Sequence, residues 1–477
     1  MQIIKFFFIK AACLFFSMLL VLIFSVSSIA DNFYKFDVDV KSKAVYFVNE
    51  DTGTVVYDKN PDEKVPSAAL VKLMTVSLIL DNVPSEEMDD FLGTKIEATG
   101  EIFDRLFRKK ASNVDIRKGE EVPVIDLLYA SILASACEAT MMLVDHVTKT
   151  WPKIFGRNVD EFVDFMNSKK LHEAIGLKNT NFTDPDGLDD VEQQTTARDA
   201  YKLTKHCLKN ALLKKIATTS TYKMAATGFH PNPRDIIHTN HMTNIGVGGR
   251  RYYDKRVLGL KTGAYDDYFN LISSAHDDSY TYILVVLGAP KTKGENSAFV
   301  DSNNLYDYAF KNLKFETVSI PGEKLIPNNV KVKLGKGTDN LVLTSRRQIT
   351  LLLPKAIDRS TIFWDTSQLP KEVWAPLRKG QVVGQVNLKL ANKVVDSIDA
   401  VVCEDVPLDF IAAVYSCMVQ LFKYLWLIIL LVVVLLIFLW FVSRSSFVRR
   451  RKNKRRIKFK KRGQGLRRTK HKQERWK

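Results

Sequence analysis

The chain has 477 residues and a formal net charge of +17, from 70 Lys and Arg against 53 Asp and Glu. That length exceeds one compact core and predicts two folded domains with appendages. The charge is confined to one end: residues 444–477 hold 18 basic side chains and one acid, Glu474, while the preceding 443 residues balance 52 against 52. The basic character therefore belongs to a tail, no nucleic-acid-binding domain is indicated, and no nucleic acid partner is expected.

Lys5 and Lys10 precede the apolar run 11–29, and Ser28-Ile29-Ala30 offers small residues for cleavage. This pattern reads as a secretory signal peptide over 1–30, with an uncleaved signal anchor as the alternative. Ala44 to Val48 and Thr54 to Tyr57 flank Asp51-Thr52-Gly53, a turn tripeptide, and predict a β-hairpin. Ala68 to Leu80 is apolar at helical spacing, and Ile125 to Val147 predicts one long buried helix. Val257 to Leu260, Asn270 to Ser274 and Tyr280 to Leu287 predict strands, followed by a helix over Val300 to Phe310. A hairpin, then helices, then strands and a helix is an α+β layout. Helices would pack on an antiparallel sheet made from both ends of the segment 31–315.

From 316 to 405 the pattern changes. Thr317 to Ile320, Val330 to Leu334, Leu341 to Leu343, Ile349 to Leu353, Val382 to Leu388 and Val394 to Val401 predict a small all-β domain. Residues 406–423 read as a juxtamembrane helix. Residues 424–442 are 19 positions without a charge, with Trp426 and Trp440 near the ends. They are long enough to cross the ~30 Å hydrocarbon core of a membrane. The basic run 443–477 follows at once. The positive-inside bias puts that tail in the cytoplasm and the preceding domains outside, and its charge suits anionic lipid headgroups. Cys13, Cys137, Cys207, Cys403 and Cys417 show neither metal spacing nor a disulfide framework. No metal and no cofactor are expected.

Ala69-Leu70-Val71-Lys72, Ser135-Ala136-Cys137 and Lys261-Thr262-Gly263 stand in the order of three motifs: Ser-x-x-Lys, Ser-x-Asn and Lys-Thr-Gly. Thr52 to Tyr57, Ile175 to Leu188, Thr195 to Asp199, Asn240 and Lys379 to Gly384 add to the match. Together these segments resemble the serine-type D-alanyl-D-alanine carboxypeptidases. These are the low-molecular-weight penicillin-binding proteins of peptidase family S11, with a β-lactamase/transpeptidase-like fold.

The resemblance implies acyl transfer at the cell wall, in which a serine attacks the D-Ala-D-Ala carbonyl and water releases the peptide. A serine hydroxyl is a weak nucleophile until a neighbouring base takes its proton. Residues i and i+3 share a helix face, so Ser-x-x-Lys puts an amine beside the hydroxyl. The second motif implies a relay hydroxyl and an amide that holds substrate. The third implies a lysine facing the substrate carboxylate and a glycine that admits its backbone. Lys72 and Ser135 are thus the candidate catalytic residues. Lys261, Thr262, Gly263 and Cys137 are the candidate substrate contacts.

Two positions depart from the pattern. Ala69 stands at the nucleophile position, and a methyl group cannot attack a carbonyl. Cys137 stands where the amide belongs, with Glu138 after it. Ser67 is five residues before Lys72, about 140° round a helix, and is no simple substitute. The expectation is a membrane-anchored family member that is catalytically impaired or inactive and binds peptidoglycan stem peptides or wall-synthesis proteins. One alternative is an active carboxypeptidase in which Ser135 with Lys72 or Lys261, or else Cys137, supplies the nucleophile. The other is a non-catalytic membrane scaffold. Plainer roles are a buried Lys72 paired with an acid such as Glu138, Lys261 as a solvated strand-edge charge, and Cys137 as a small core residue.

Overall fold

A computed structural model describes residues 37–473, apart from 107–108, 110, 189, 278–279, 293, 325–327 and 391–392. The expected signal segment 1–30 lies outside the described residues. The chain divides into two compact units, 1–316 with 350–358, and 317–349 with 359–477.

In the first unit, Ala44–Asn49 (β1) and Thr54–Lys59 (β2) form the expected hairpin. Gly53 takes φ 69 in its turn, a conformation that costs glycine little. Asn49 Oδ1 braces the turn by accepting from the Thr52 amide at 3.0 Å and its hydroxyl at 2.8 Å. Val257–Tyr265 (β3), Tyr268–His276 (β4) and Thr281–Thr292 (β5) join the hairpin in one sheet. The order is β2-β1-β5-β4-β3, and every pairing is antiparallel. The two ends of the unit thus meet at β1 and β5, where Ala44 lies opposite Leu287. β3 ends the row.

Alternate residues of each strand serve opposite faces. Tyr46, Val48, Ile272, Ile283 and Val285 pack in one core with Val71–Asn82 (α1), Val124–Leu133 (α2), Cys137–Thr150 (α3) and Ala197–Cys207 (α4). Val45, Phe47, Leu284 and Val286 pack in a second core with Ser297–Asn312 (α5).

The single helix expected over Ile125 to Val147 is two helices. Ser135 takes φ 61, in the left-handed region, and Ala136 is extended. The amide of Cys137 then donates to Ser112 O at 2.8 Å, outside the helix, and that of Ala136 to Ala130 O at 3.1 Å. These bonds hold the break open. Apolar periodicity continues through it because Ala134, Ser135 and Ala136 suit a helix equally well.

In the second unit, Leu343–Ser345, Lys393–Val402, Val382–Leu390 and Ile362–Asp365 form a four-stranded antiparallel sheet in that order. Lys331–Lys333 pairs in parallel with Glu372–Trp374. This is the all-β character read from the sequence. After it, Phe410–Gln473 runs as one unbroken helix through the segments expected as juxtamembrane, spanning and tail. Its portion Phe410–Arg444 has 35 residues, with a window of mean hydropathy 3.4 that is nowhere buried. It is long and apolar enough to cross a membrane.

Candidate active site

A cleft of about 1130 Å³ lies in the first unit, between the starts of α1 and α3 and the strand β3. The chain enters α1 through a 3-10 turn at Ala68–Leu70. Ala68 takes φ 47, and Ala69 follows it on the cleft wall. Lys72 comes one turn later and is fully buried. Its amine donates to the backbone carbonyl of Asp186 and lies 3.5 Å from Cys137 Sγ. Thr75, another turn on, donates to Pro185 O at 2.7 Å. Positions i and i+3 of α1 therefore tie the segment Pro185–Asp186 to the helix. Gly187 must be glycine here: at φ 74 a Cβ would stand 2.5 Å from Ala69 Cα.

The break between α2 and α3 presents Ser135 to the opposite wall, where its hydroxyl accepts from Lys261 Nζ at 3.0 Å. Thr262, next along β3, has its hydroxyl 2.5 Å from that of Thr239. At Gly263 a Cβ would come within 3.2 Å of Ser67 O and 3.3 Å of Ala68 Cβ. All six candidate residues and the vacant nucleophile position at Ala69 thus line or abut one cleft.

Both lysines are fully buried, and among the described residues neither forms a salt bridge. Burial, then repulsion from Lys72, holds the Lys261 amine well below the usual lysine range, with Cys137 acting the other way. Burial also pushes the Cys137 thiol up, against the pull of Lys72, so the thiol form is favoured. His238 is driven down to about 3 by burial and then by Lys261, and stays neutral. Asp184 is pushed up to about 6 by burial and then by the charge of Asp186. The Asp186 carboxylate is fully buried and receives no hydrogen bond from the described residues until Asp184 carries a proton to give it one.

Glu138 does not pair with Lys72. Its Oε1 accepts from the Val114 amide at 2.7 Å and anchors the segment that also carries Ser112. Lys261 is not a solvated edge charge, because the turn carrying Ser135 covers it. Cys137 is buried and also lines the cleft. The sequence motifs did not reveal Thr239, and the matching segment 175–188 gave no separate role to Asp184 or Asp186. Asp186 contributes through its backbone carbonyl, which no residue type announces.

Residues 31–291 match the family model described as D-alanyl-D-alanine carboxypeptidase. The chain belongs to that family. Residues 315–408 match the model for the C-terminal domain of penicillin-binding protein 5. This carboxypeptidase-family chain is 27% identical over 368 residues to the D-alanyl-D-alanine carboxypeptidase DacF of Bacillus subtilis, a match covering 76% of the chain and 86% of that protein. It is 28% identical over 396 residues to DacA of Haemophilus influenzae, covering 80% and 90%. The crystal structure of penicillin binding protein 5 from Haemophilus influenzae matches with a TM-score of 0.57 at 25% identity, over 78% of this chain and 98% of that one. The α+β unit followed by an all-β domain is therefore the family architecture.

Proposed function

We propose that this carboxypeptidase-family chain is held in the cell membrane by the helix that begins at Phe410. Its cleft lies outside the cytoplasm and binds D-Ala-D-Ala-terminated stem peptides of peptidoglycan without turning them over. The observation that carries this reading is Ala69, a methyl group on the cleft wall one turn before the buried amine of Lys72. Acyl transfer needs an oxygen there, and loss of a nucleophile removes several orders of magnitude of rate. Binding has no such need. Two buried amines without a carboxylate partner favour an anionic ligand, which would hold their protons, and the terminal carboxylate of a stem peptide supplies one. Lys72 and Ser135 keep their places as remnants of the proton relay. Lys261, Thr262, Gly263 and Cys137 contact the peptide. The basic residues beyond Arg444 set the orientation, with the tail cytoplasmic.

A second reading is supported by the 3.0 Å contact between Lys261 and Ser135. A lysine held below its usual range, beside a hydroxyl, is a base paired with a nucleophile. On that reading Ser135 itself is acylated. The intact mass of the full-length protein in detergent, measured after incubation with a penicillin, tests both readings. No adduct, together with saturable binding of a D-Ala-D-Ala pentapeptide, is the expected result. An adduct mapped to Ser135 would replace the first reading with the second. Absence of both adduct and peptide binding would leave a membrane scaffold.

A further inference from the structure

Part of the cleft wall is aromatic and polar, with Lys291 paired opposite Asn296 at its edge. It includes His241, Tyr252, Asn296 and Phe299. Phe299 belongs to the core at 3% exposure. Its ring centroid is 5.6 Å from His241 and 5.3 Å from Tyr252. Two half-buried rings are therefore held on a fixed aromatic base with part of their surface in the cleft. Aromatic carbon of this kind attracts ligands with apolar faces.

The polar atoms of Tyr252, Asn296 and His241 carry no formal charge and are only partly used. Tyr252 Oη accepts from the Asn296 amide at 2.9 Å, which leaves its own proton to donate. Asn296 Oδ1 accepts from Ala298 N at 3.0 Å. The Asn296 side-chain nitrogen and both ring nitrogens of His241 have no partner among the described residues. Burial lowers His241 from the ordinary histidine range, which keeps the ring neutral. The neighbouring charges are engaged: Arg251 bonds Glu295, which also bonds Lys41, and the Arg251 guanidinium lies 5.4 Å from the Tyr252 ring centroid, while the Lys291 amine donates to Asp266 O. This end is also continuous with the motif strand, since Thr239, two residues before His241, meets Thr262.

Two aromatic rings beside the free donors and acceptors of Tyr252, Asn296 and His241 suit a ligand with apolar faces and a hydroxylated rim. We propose that this end of the cleft is a subsite for a neutral pyranose ring of the peptidoglycan glycan strand, separate from the cationic end that takes the peptide. The proposal rests on the reading that the cleft faces peptidoglycan, and it adds the second chemical class that the cleft recognises.

The test uses the full-length protein in detergent and two separate probes, N,N′-diacetylchitobiose and a D-Ala-D-Ala pentapeptide, with calorimetry or saturation-transfer NMR as the readout. Chitobiose is expected to bind saturably at millimolar concentration. Tyr252→Ala and His241→Ala should each weaken it by about 10-fold, the scale of a lost aromatic contact with its hydrogen bond. Both should leave the peptide affinity in place, and circular dichroism should show them folded. Tyr252→Phe, which keeps the ring, should lose less than about threefold. Absence of saturable chitobiose binding, or equal affinity in wild type and Tyr252→Ala, overturns the proposal. Peptide binding reports on the cationic end alone. Chitobiose bound with the peptide ignored would keep the sugar subsite and remove the stem-peptide reading, and the converse result would do the reverse.

Discussion

Lys261 donates to the Ser135 hydroxyl at 3.0 Å, between residues 126 positions apart in the chain. The bond keeps an amine and a hydroxyl in contact, while Ala69 in the same cleft carries only a methyl group. That arrangement makes the chemistry of the cleft testable one atom at a time.

Ala69→Ser restores the missing oxygen one turn before Lys72. The variant alone should regain little activity and acquire a penicillin adduct at position 69 only slowly, because Cys137 leaves the substrate amide contact unmade. Adding Cys137→Asn supplies amide donors where a weakly bonding thiol now stands. A hydrogen bond of about 1.4 kcal/mol corresponds to an acylation rate about 10-fold higher than in the single variant. Peptide mapping and a time course of intact mass check both statements. A folded Ala69→Ser protein that never acquires an adduct would show that more than the nucleophile is missing.

Lys261→Met removes the cation expected to face the substrate carboxylate. A hydrogen bond to a charged group contributes about 1.5–3 kcal/mol, so pentapeptide affinity should fall by roughly 10- to 100-fold. The same peptide ending in a carboxamide should bind wild type and variant alike. Parallel titrations with the acid and the amide read this directly. An equal loss for both forms would mean that Lys261 shapes the cleft without touching the carboxylate.

Asp184 gives the fold a pH dependence of defined sign. Its carboxyl holds a proton more tightly in the folded chain than in the unfolded one, with an affinity pushed up to about 6 by burial and by Asp186. The associated stability is fully present below the ordinary aspartate range and is lost as pH rises through about 6. Asp184→Asn keeps Oδ1 to accept from the Asp186 amide at 3.0 Å and offers its new amide to the Asp186 carboxylate. The variant should be more stable than wild type by about 2 kcal/mol at pH 7.5, with the difference shrinking toward pH 4. Melting curves across that range check it. A difference that grows toward acid pH would reverse the sign of the argument.

The helix from Phe410 should cross the membrane with Arg444 onward inside. Protease added to intact spheroplasts should digest the extracytoplasmic domains. An epitope after Lys477 should survive until the membrane is opened. Carbonate extraction should leave the protein in the membrane fraction. Early loss of the epitope would invert the topology, and release by carbonate would show that the helix lies on the surface.

Residue type made the candidate site largely legible. Lys-Thr-Gly and the lysine of the first motif stand in sequence because their chemistry demands those side chains, and the same logic exposed Ala69. The sheet was legible because both of its ends alternate, from Ala44 to Tyr57 and from Val257 to Leu287. The break at Ser135 was not, because its cause is tertiary: the Cys137 amide turns away to Ser112, and no glycine or proline marks the place. The full burial of Lys261 was hidden for a related reason, since the turn that covers it belongs to a segment far away in sequence. The aromatic part of the cleft wall draws on residues 241, 252, 296 and 299, which no short pattern links. The helix through Arg444 was foreseen as a span but not as continuous, since arginine and lysine propagate a helix as readily as they end a hydrophobic one.

Ala68 at φ 47 and Ser135 at φ 61 place a residue with a side chain in left-handed backbone on each side of the cleft. Such a conformation costs about 1–3 kcal/mol each, and glycine at either position would relieve it. The fold thus holds two tensioned points that stability alone would remove, and both bear on the relation between position 69 and the Ser135 hydroxyl. A pocket emptied of purpose has no reason to stay taut. Ala68→Gly separates the two demands: a cleft kept for an occupant should melt higher in this variant and yet hold its peptide less well, the trade between rigidity and use that strained sites carry.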